Sequence, residues 1–502
     1  MPDPTIRVRI APSPTGPLHI GTARTALFNY LFARHVGGTF LLRLEDTDAA
    51  RGTDAFERNI LAGLHWLGIT WDEGPNPSGD GDFGPFAPYR QMQRLDLYRE
   101  ASDRLLAADL AYPCYCTPEE LAADRAAQEA AKQPPRYVGR CAALTPAERE
   151  ARVAEGRRPV TRFRVRPGVI GWNDLVRDRI EIDTTNLGGD FVIVRADGTP
   201  LYHFVVVVDD AAMRISHVIR GEDHIGNTPK HILLFEALGY PVPEFAHLPL
   251  ILNPDGTKMS KRKSQTAVSD YIAEGFIREA LVNYLALLGW ATGTEEEVLS
   301  IDEIVERFEL TDVHKGGAVF DRERLEWLNG QWIRRLEPDD LIDRLRPFVE
   351  AELAAGRIDW MPDDEEVRAL LPVITERLPT LGAIGELVGF LWVDDLTYDT
   401  ALLVPKRWDV ATTREGLAAA RATIADTGDV SYEADELEPP LRALAEARGW
   451  KAGDLFMAIR VAVTGRTATP PLFDTLVALG HERTLERLDR AIEILEEGSV
   501  PA

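Results

Sequence analysis

The opening stretch, TIRVRIAPSPTGPLHIGTARTALFNYLFARHVGGTFLLRLEDTD at residues 5–48, constrains the fold more than any other part of the chain. Ile6, Val8 and Ile10 alternate with Arg7 and Arg9, the two-residue period of a strand. PSPTGP at 12–17 cannot extend that strand, because proline offers no N–H to a ladder, and it cannot be helical before its end. Residues 19–35 place Ala23, Leu27, Tyr30 and Leu31 on one stripe, as a helix does, and stop at Gly37-Gly38. TFLLRLEDTD at 39–48 reads as a second strand that ends in carboxylates. This order specifies a β-α-β unit and an α/β domain. Ligands in such domains sit beyond the carboxyl ends of the strands. The turn at 12–21 and the acids Glu45, Asp46 and Asp48 therefore share one mouth.

The remainder of the 502 residues is patterned less sharply. Residues 72–90, rich in Gly, Pro and Asp, read as loop. Residues 95–150 are Ala-rich and helical, and strand-like material follows at 160–195. LYHFVVVVDD (201–210) and RISHVIRGEDH (214–224) read as two apolar strands ending in polar clusters. The α/β domain thus resumes near 198 after an insertion at about 90–197. Beyond 265 the pattern is helical, with expected breaks at Pro338, Pro347, Pro362, Pro379, Pro405 and Pro439-Pro440.

Composition excludes several classes. The longest apolar run, HFVVVV at 203–208, is far below the ~18 residues of a membrane span. MPDPTIRVRI has an acidic residue and no apolar core, so no secretion signal is expected. Three cysteines, an odd number, argue against a disulfide framework and for the cytoplasm. A net charge of −25 disfavours a generally polyanion-binding surface. Yet three of the eight lysines, Lys258, Lys261 and Lys263, fall within six residues, which suggests a local anion site.

Three constellations carry chemistry. In PSPTGPLHIG, Gly16 and Gly21 allow close backbone approach, and the helix opening at His19 aims N–H groups at an anion. Alone, the same turn reads equally as a stiff loop with a capping histidine. In DGTKMSKRKS, Asp-Gly makes a turn, and Lys258, Lys261 and Arg262 follow it as mobile charges suited to a pyrophosphate leaving group. An exposed basic loop is the bland alternative. Finally, Arg9 and Arg220 each end a proposed strand beside the same mouth, where two guanidiniums would bind a carboxylate and Glu45 could hold an ammonium. As isolated residues they read better as surface arginines with ordinary solvent partners.

HIGT and KMSKR resemble the two signatures of class I aminoacyl-tRNA synthetases. RIAPSPTGPLHIGTARTALFNYLFA, LRLEDTD, YHFVVVVDD, HVIRGEDHIGNTP and NPDGTKMSKR are similar to the glutamyl branch of that class. The resemblance is strong over residues 1–330 and looser through IRVAVTGRTATPPLFDTLVALG. It implies a Rossmann-like α/β catalytic domain (1–89 and 198–262) with an α+β acceptor-stem-binding insertion (90–197). A stem-contact region (263–330) and an all-α anticodon-binding region (331–502) would follow.

The same resemblance implies roles for matching residues. Arg9, Ala11, Ser13, Glu45, Tyr202, His203 and Arg220 would bind glutamate. His19, Gly21, Asp223, Lys258, Met259, Ser260, Lys261 and Arg262 would hold ATP, with His19 and Lys261 catalytic and Mg²⁺ between the phosphates. The partners would be L-glutamate and tRNA-Glu, the protein a cytoplasmic monomer, and tRNA binding a prerequisite for efficient activation. RFRVR (162–166), KMSKRK and QWIRR (331–335) would supply basic faces for the tRNA.

Thr22 replaces the last histidine of the first signature, as is usual in the glutamate branch. Some bacterial relatives carry a zinc pattern CxC and, after 24 residues, CxH. Here Cys114, Cys116 and Cys141 keep the spacing, but Ala143 takes the fourth place. Tyr137, Glu119 or a water are candidates to complete the four ligands of a closed zinc site, and three reduced cysteines are the alternative. Rival readings are a small-molecule nucleotidyltransferase, which the long helical C-terminal part disfavours, and a non-enzymatic RNA-binding relative, which should lack one signature. Glutaminyl-tRNA synthetase should carry a β-barrel C-terminal part, and the tRNA-modifying glutamyl-queuosine enzyme should stop near residue 300.

Overall fold

In the computed structural model, which describes residues 6–47, 52–259, 266–396, 399–427 and 432–497, the strand Arg7–Ile10 pairs in parallel with Thr39–Leu42, Arg9 opposite Leu41. The helix Ile20–His35 connects them. It has no Ser, Thr, Asp or Asn cap. His19 takes that place with an extended backbone, its ring Nδ1 accepting the Gly21 N–H at 3.0 Å. Ile20, Ala23, Leu27 and Leu31 are buried against the strands, and Gly37, at φ +66°, turns the chain back. The β-α-β unit is as expected.

Two further strands, His217–Gly221 and Glu244–Leu248, pair in parallel with each other. The Ser216 N–H donates to the Arg7 carbonyl at 3.0 Å, and the Arg7 N–H to Ser216 Oγ at 2.8 Å, which sets Arg7–Ile10 beside His217–Gly221. On the far side, Phe245 pairs with Asp174 at the end of Val169–Asp174. That strand forms an antiparallel hairpin with Asp178–Asp183. The carboxyl ends Ile10, Leu42, Gly221 and Leu248 therefore lie along one edge.

One expected strand is a helix. The apolar run predicts a strand over 201–210, but Tyr202–Ala212 is helical, with Phe204 to Val208 all buried. A continuous apolar run has no period to read, and its valines favour strand. The helix is enclosed on every side, packing with Leu233, Leu234 and Phe235. Burial of a valine is worth about 1.5–3 kcal/mol and exceeds its helix-propensity cost of under about 1 kcal/mol.

The stretch expected as an insertion is of two parts. Ala111–Cys114, Val160–Phe163 and Phe191–Val194 form a separate three-stranded antiparallel sheet. The helices Pro118–Ala130 and Pro146–Ala154 each open with a capping box, Thr117 with Glu120 and Thr145 with Glu148. The Val169–Asp183 hairpin instead extends the central sheet. The 72–90 loop contains a short strand pair, Gly74–Pro75 with Asp82–Phe83.

The described residues divide into two compact units: Met1–Asp270 with Leu281–Arg322, and Tyr271–Ala280 with Glu323–Ala502. Among its described residues the second unit is helical, with no strand. Its helices include Pro338–Ala354, Val410–Thr427, Ala434–Ala447 and His481–Glu497. Two expected proline breaks do not occur: Pro347 and the Pro439-Pro440 pair lie inside helices. Burial of Leu341, Leu345 and Val349 around the first, and of Leu437, Leu441 and Ala445 around the second, offsets a cost of about 3 kcal/mol per interior proline. Among the described residues, no helix is long and apolar enough to cross a membrane.

Candidate active site

A cleft of about 590 Å³ opens at the carboxyl ends of the parallel strands. The Pro-stiffened turn carries Ala11 and Ser13 along its wall, and the sheet edge supplies Arg9 and Arg220. Tyr202, at the start of the helix read as a strand, and Glu45, past the end of Thr39–Leu42, complete this half. His203 does not line the cleft. Its ring lies behind, Nδ1 3.2 Å from His231 Nε2, because successive helical residues point about 100° apart.

The two arginines are held in opposite ways. Arg9 is already paired: its Nε and Nη2 donate to Asp210 Oδ1 and Oδ2 at 3.1 and 3.2 Å. Asp210 also receives Arg43 Nη1 at 2.7 Å, and Arg43 Nη2 donates to Glu45 at 3.2 Å. Beside them, Asp209 accepts Arg94 Nε at 2.7 Å, the Tyr98 hydroxyl at 2.8 Å and the Gln91 amide at 3.0 Å. Three arginines, 9, 43 and 94, thus meet three carboxylates, 45, 209 and 210, all buried. Burial would raise the Asp210 carboxyl, but Arg9 and Arg43 hold it below its usual value. For Glu45 burial prevails over Arg43 and Arg9, and its pKa is raised.

Arg220 has no carboxylate within ion-pair distance among the described residues. Its partners are neutral: Thr228 Oγ1 at 2.7 Å, His231 Nδ1 at 3.1 Å and His247 Nε2 at 3.3 Å. The side chain is buried, which pushes its pKa down to about 10, so it remains cationic at neutral pH. A buried cation without a counter-ion is costly and favours an anionic ligand.

The other half of the cleft is walled by His19 and Gly21 at the helix start, with Asp223, Lys258 and Met259 opposite. With Nδ1 accepting the capping bond, neutral His19 carries its proton on Nε2. Lys258 Nζ donates to Asp223 Oδ2 at 2.9 Å. Residues 251–259 form a tight loop: Gly256 sits at φ +76°, and the Met259 N–H donates to the Ile251 carbonyl at 3.0 Å. Ser260, Lys261, Arg262 and Lys263 lie outside the described residues, as does Asp48.

Sequence reasoning missed several residues here. Asp209, Asp210, Arg43 and Arg94 belong to the charge network, and the only sequence signal was the paired acid closing VVVVDD. Arg24 also lines the cleft, buried, with Nη1 donating to the Pro249 carbonyl at 2.7 Å and its pKa lowered by burial to about 10. An arginine on the buried stripe of the first helix was its signal.

The three cysteines come together away from the cleft. Their sulfurs lie within 4.8 Å of one another, with Cys116 Sγ 3.6 Å from Cys141 Sγ. The Tyr137 hydroxyl is 3.4 Å from Cys114 Sγ and 3.7 Å from Cys116 Sγ. Tetrahedral zinc with bonds near 2.3 Å places sulfurs about 3.8 Å apart, so the donor set fits that ion. Arg162 donates to Cys114 Sγ at 3.2 Å and stacks on Tyr137 at 3.9 Å. It is buried, and Arg164 pairs with Asp109, so of the three arginines in RFRVR only Arg166, paired with Glu236, is exposed.

Comparison with known proteins agrees with this architecture. A family model described as the catalytic domain of class I tRNA synthetases (E and Q) matches residues 5–327. An anticodon binding domain model matches residues 340–492. A glutamate–tRNA ligase of Symbiobacterium thermophilum is 45% identical over 502 aligned residues, covering 96% of this chain and 99% of the relative. One of Moorella thermoacetica is 43% identical, covering 98% and 99%. The crystal structure of a glutamate tRNA ligase from Elizabethkingia meningosepticum, in complex with its amino acid, superposes with a TM-score of 0.85 at 35% identity, covering 98% of this chain and all of that one.

Proposed function

The chain belongs to the class I glutamate–tRNA ligases, which charge tRNA with glutamate, and from that premise we propose how its residues carry the reaction. Arg220, with Arg9 beside it, takes the side-chain carboxylate of L-glutamate. Glu45 takes the α-ammonium, and Ala11, Ser13 and Tyr202 shape the site. The single observation that carries this reading is the buried Arg220, a cation with only neutral partners, in the same cleft as a buried carboxylate, Glu45. Glutamine would bring an amide whose N–H groups oppose guanidinium donors and whose neutrality leaves the cation uncompensated.

ATP occupies the half bounded by His19, Gly21, Asp223, Lys258 and Met259, with Ser260, Lys261 and Arg262 over the phosphates. The glutamate α-carboxylate oxygen attacks the α-phosphorus, the bond to the bridging oxygen breaks, and pyrophosphate leaves. His19 donates from Nε2 to the phosphates, and Lys261 stabilises the charge that develops on the leaving group. Mg²⁺ bound with the nucleotide would neutralise part of that charge. A hydroxyl of the terminal tRNA adenosine, the 2′-OH in this class, then attacks the activated carbonyl and releases AMP. The protein contributes positioning and fixed charge.

Residues 1–89 with 198–262 act as the catalytic domain and 90–197 as the acceptor-stem-binding insertion. Residues 263–330 contact the stem, and 331–502 bind the anticodon of tRNA-Glu. The enzyme works as a cytoplasmic monomer. Cys114, Cys116 and Cys141 hold a structural zinc, with the Tyr137 hydroxyl as the fourth donor, since Ala143 offers none. ATP–pyrophosphate exchange with glutamate or glutamine, with and without tRNA, tests the reading. It predicts exchange that requires glutamate and rises with tRNA-Glu; equal exchange with glutamine would refute the placement at Arg220.

A further inference from the structure

Arg220 is aimed by a relay that ends on a carboxylate it does not touch. His247, fully buried, donates from Nδ1 to Asp174 Oδ2. Its Nε2 then has only a lone pair to offer. It accepts from the Thr228 hydroxyl at 3.0 Å and from Arg220 Nε at 3.3 Å, while Thr228 Oγ1 accepts Arg220 Nη2 at 2.7 Å. Every donor in this chain points from Arg220 towards Asp174. Asp174 Oδ1 is occupied separately by the N–H groups of Val176, Arg177 and His247 at 3.1, 3.0 and 3.1 Å. Burial keeps His247 below its usual pKa, so the ring is neutral and has one tautomer to choose.

We propose that Asp174 and His247 are positioning residues that fix Arg220 without neutralising it, and thereby set the discrimination between glutamate and glutamine. A carboxylate placed directly on Arg220 would hold the guanidinium equally well but offset the charge the substrate must meet, as Asp210 in part does for Arg9. Relaying through a neutral imidazole and a hydroxyl separates aiming from neutralisation. Asp174 ends the strand of the hairpin that comes from the 90–197 stretch, so that stretch contributes to amino-acid selection as well as to the sheet.

The inference rests on the placement of the glutamate carboxylate at Arg220 proposed above, and Arg220→Gln separates the two. In Asp174→Asn, Oδ1 keeps its three backbone donors, and the amide N–H₂ faces His247 Nδ1. The ring proton moves to Nε2 and opposes Arg220 Nε–H. Steady-state aminoacylation should show a glutamate KM raised about 10-fold or more and a glutamate-over-glutamine preference reduced by a similar factor, with the ATP KM within about 2-fold. His247→Gln, whose amide can donate to Asp174 and accept from Arg220, should stay within about 3-fold of the parent, whereas His247→Leu should resemble Asp174→Asn. A purely structural role would move both KM values together.

The proposal is overturned if folded Asp174→Asn keeps the parent glutamate KM and selectivity, or if His247→Gln is as impaired as His247→Leu. The second comparison decides alone should Asp174→Asn not fold. If Arg220→Gln leaves the glutamate KM unchanged, the placement itself fails. If Arg220→Gln raises it and the relay variants do not, only the relay fails.

Discussion

Arg9 and Asp210, 201 residues apart in sequence, are joined at two points in the floor of the cleft, Nε to Oδ1 at 3.1 Å and Nη2 to Oδ2 at 3.2 Å. The pair ties the first strand to the end of the Tyr202–Ala212 helix and offsets part of the charge on Arg9. The same carboxylate holds Arg43, so one acid neutralises two cations in part, and Glu45 supplies the balance.

Asp210→Asn should therefore destabilise the protein by about 3–5 kcal/mol, because it leaves buried guanidiniums uncompensated. Urea unfolding of the first unit's transition measures this. An unchanged midpoint would mean that Arg9 and Arg43 find other partners.

Lys258 and Asp223 form a different kind of pair, each about half exposed, with side-chain accessibilities of 56% and 45%. Exposed pairs contribute about 0–1 kcal/mol, so Lys258→Ala should leave the unfolding midpoint within error. It should raise the ATP KM several-fold and leave the glutamate KM alone. Equal losses for both substrates would contradict the division of the cleft into two halves.

The histidines around Tyr202 predict acid lability. Burial, with Lys230 and Arg220 adding repulsion, lowers His203 to about 3. Burial, with Arg220 adding repulsion, lowers His224 to about 4. The unfolded chain protonates both near pH 6.5, and the folded chain does not until well below that. Stability should be level above about pH 7 and fall as pH drops from 6.5 towards 4. Thermal melts from pH 7.5 to 5 should show this, with a shallower slope in His203→Gln; an identical slope would remove His203 from the account.

The thiol cluster predicts about one zinc per chain by metal analysis of protein purified without chelator. Cys116→Ser should lose the metal, and Tyr137→Phe should bind it more weakly. Metal-free parent protein with three titratable thiols would leave the cluster as reduced cysteines.

Binding of tRNA should weaken steeply with salt despite the charge of −25, because contacts to phosphate release counterions. Filter binding between about 50 and 200 mM salt tests this. A flat response would remove phosphate contact as the main source of affinity.

Much of the site was legible because its chemistry is local in sequence. PSPTGPLHIG carries its own turn and helix-start signals, and strand ends bring Arg9, Glu45 and Arg220 to one edge once the α/β order is recognised. What failed was periodicity without contrast. YHFVVVVDDAA has apolar residues at consecutive positions and shows neither a 2.0 nor a 3.6 period, and Tyr202 and His203, which the resemblance implies for one site, are turned apart by helical geometry. RFRVR looked basic by composition, yet Arg162 is committed to Cys114, Tyr137 and the Asp190 carbonyl.

Taken by itself, the order of residues determined the β-α-β start, the position of the ligand-binding edge and the grouping of lysines near 260, because turns, caps and alternation act over a few residues. Only the tertiary structure decided which cations are already satisfied. Asp210 reaches Arg9 and Asp174 governs Arg220 from more than 40 residues away, and in a low-dielectric interior the partner's identity, not the arginine's, sets how much charge is left for a substrate.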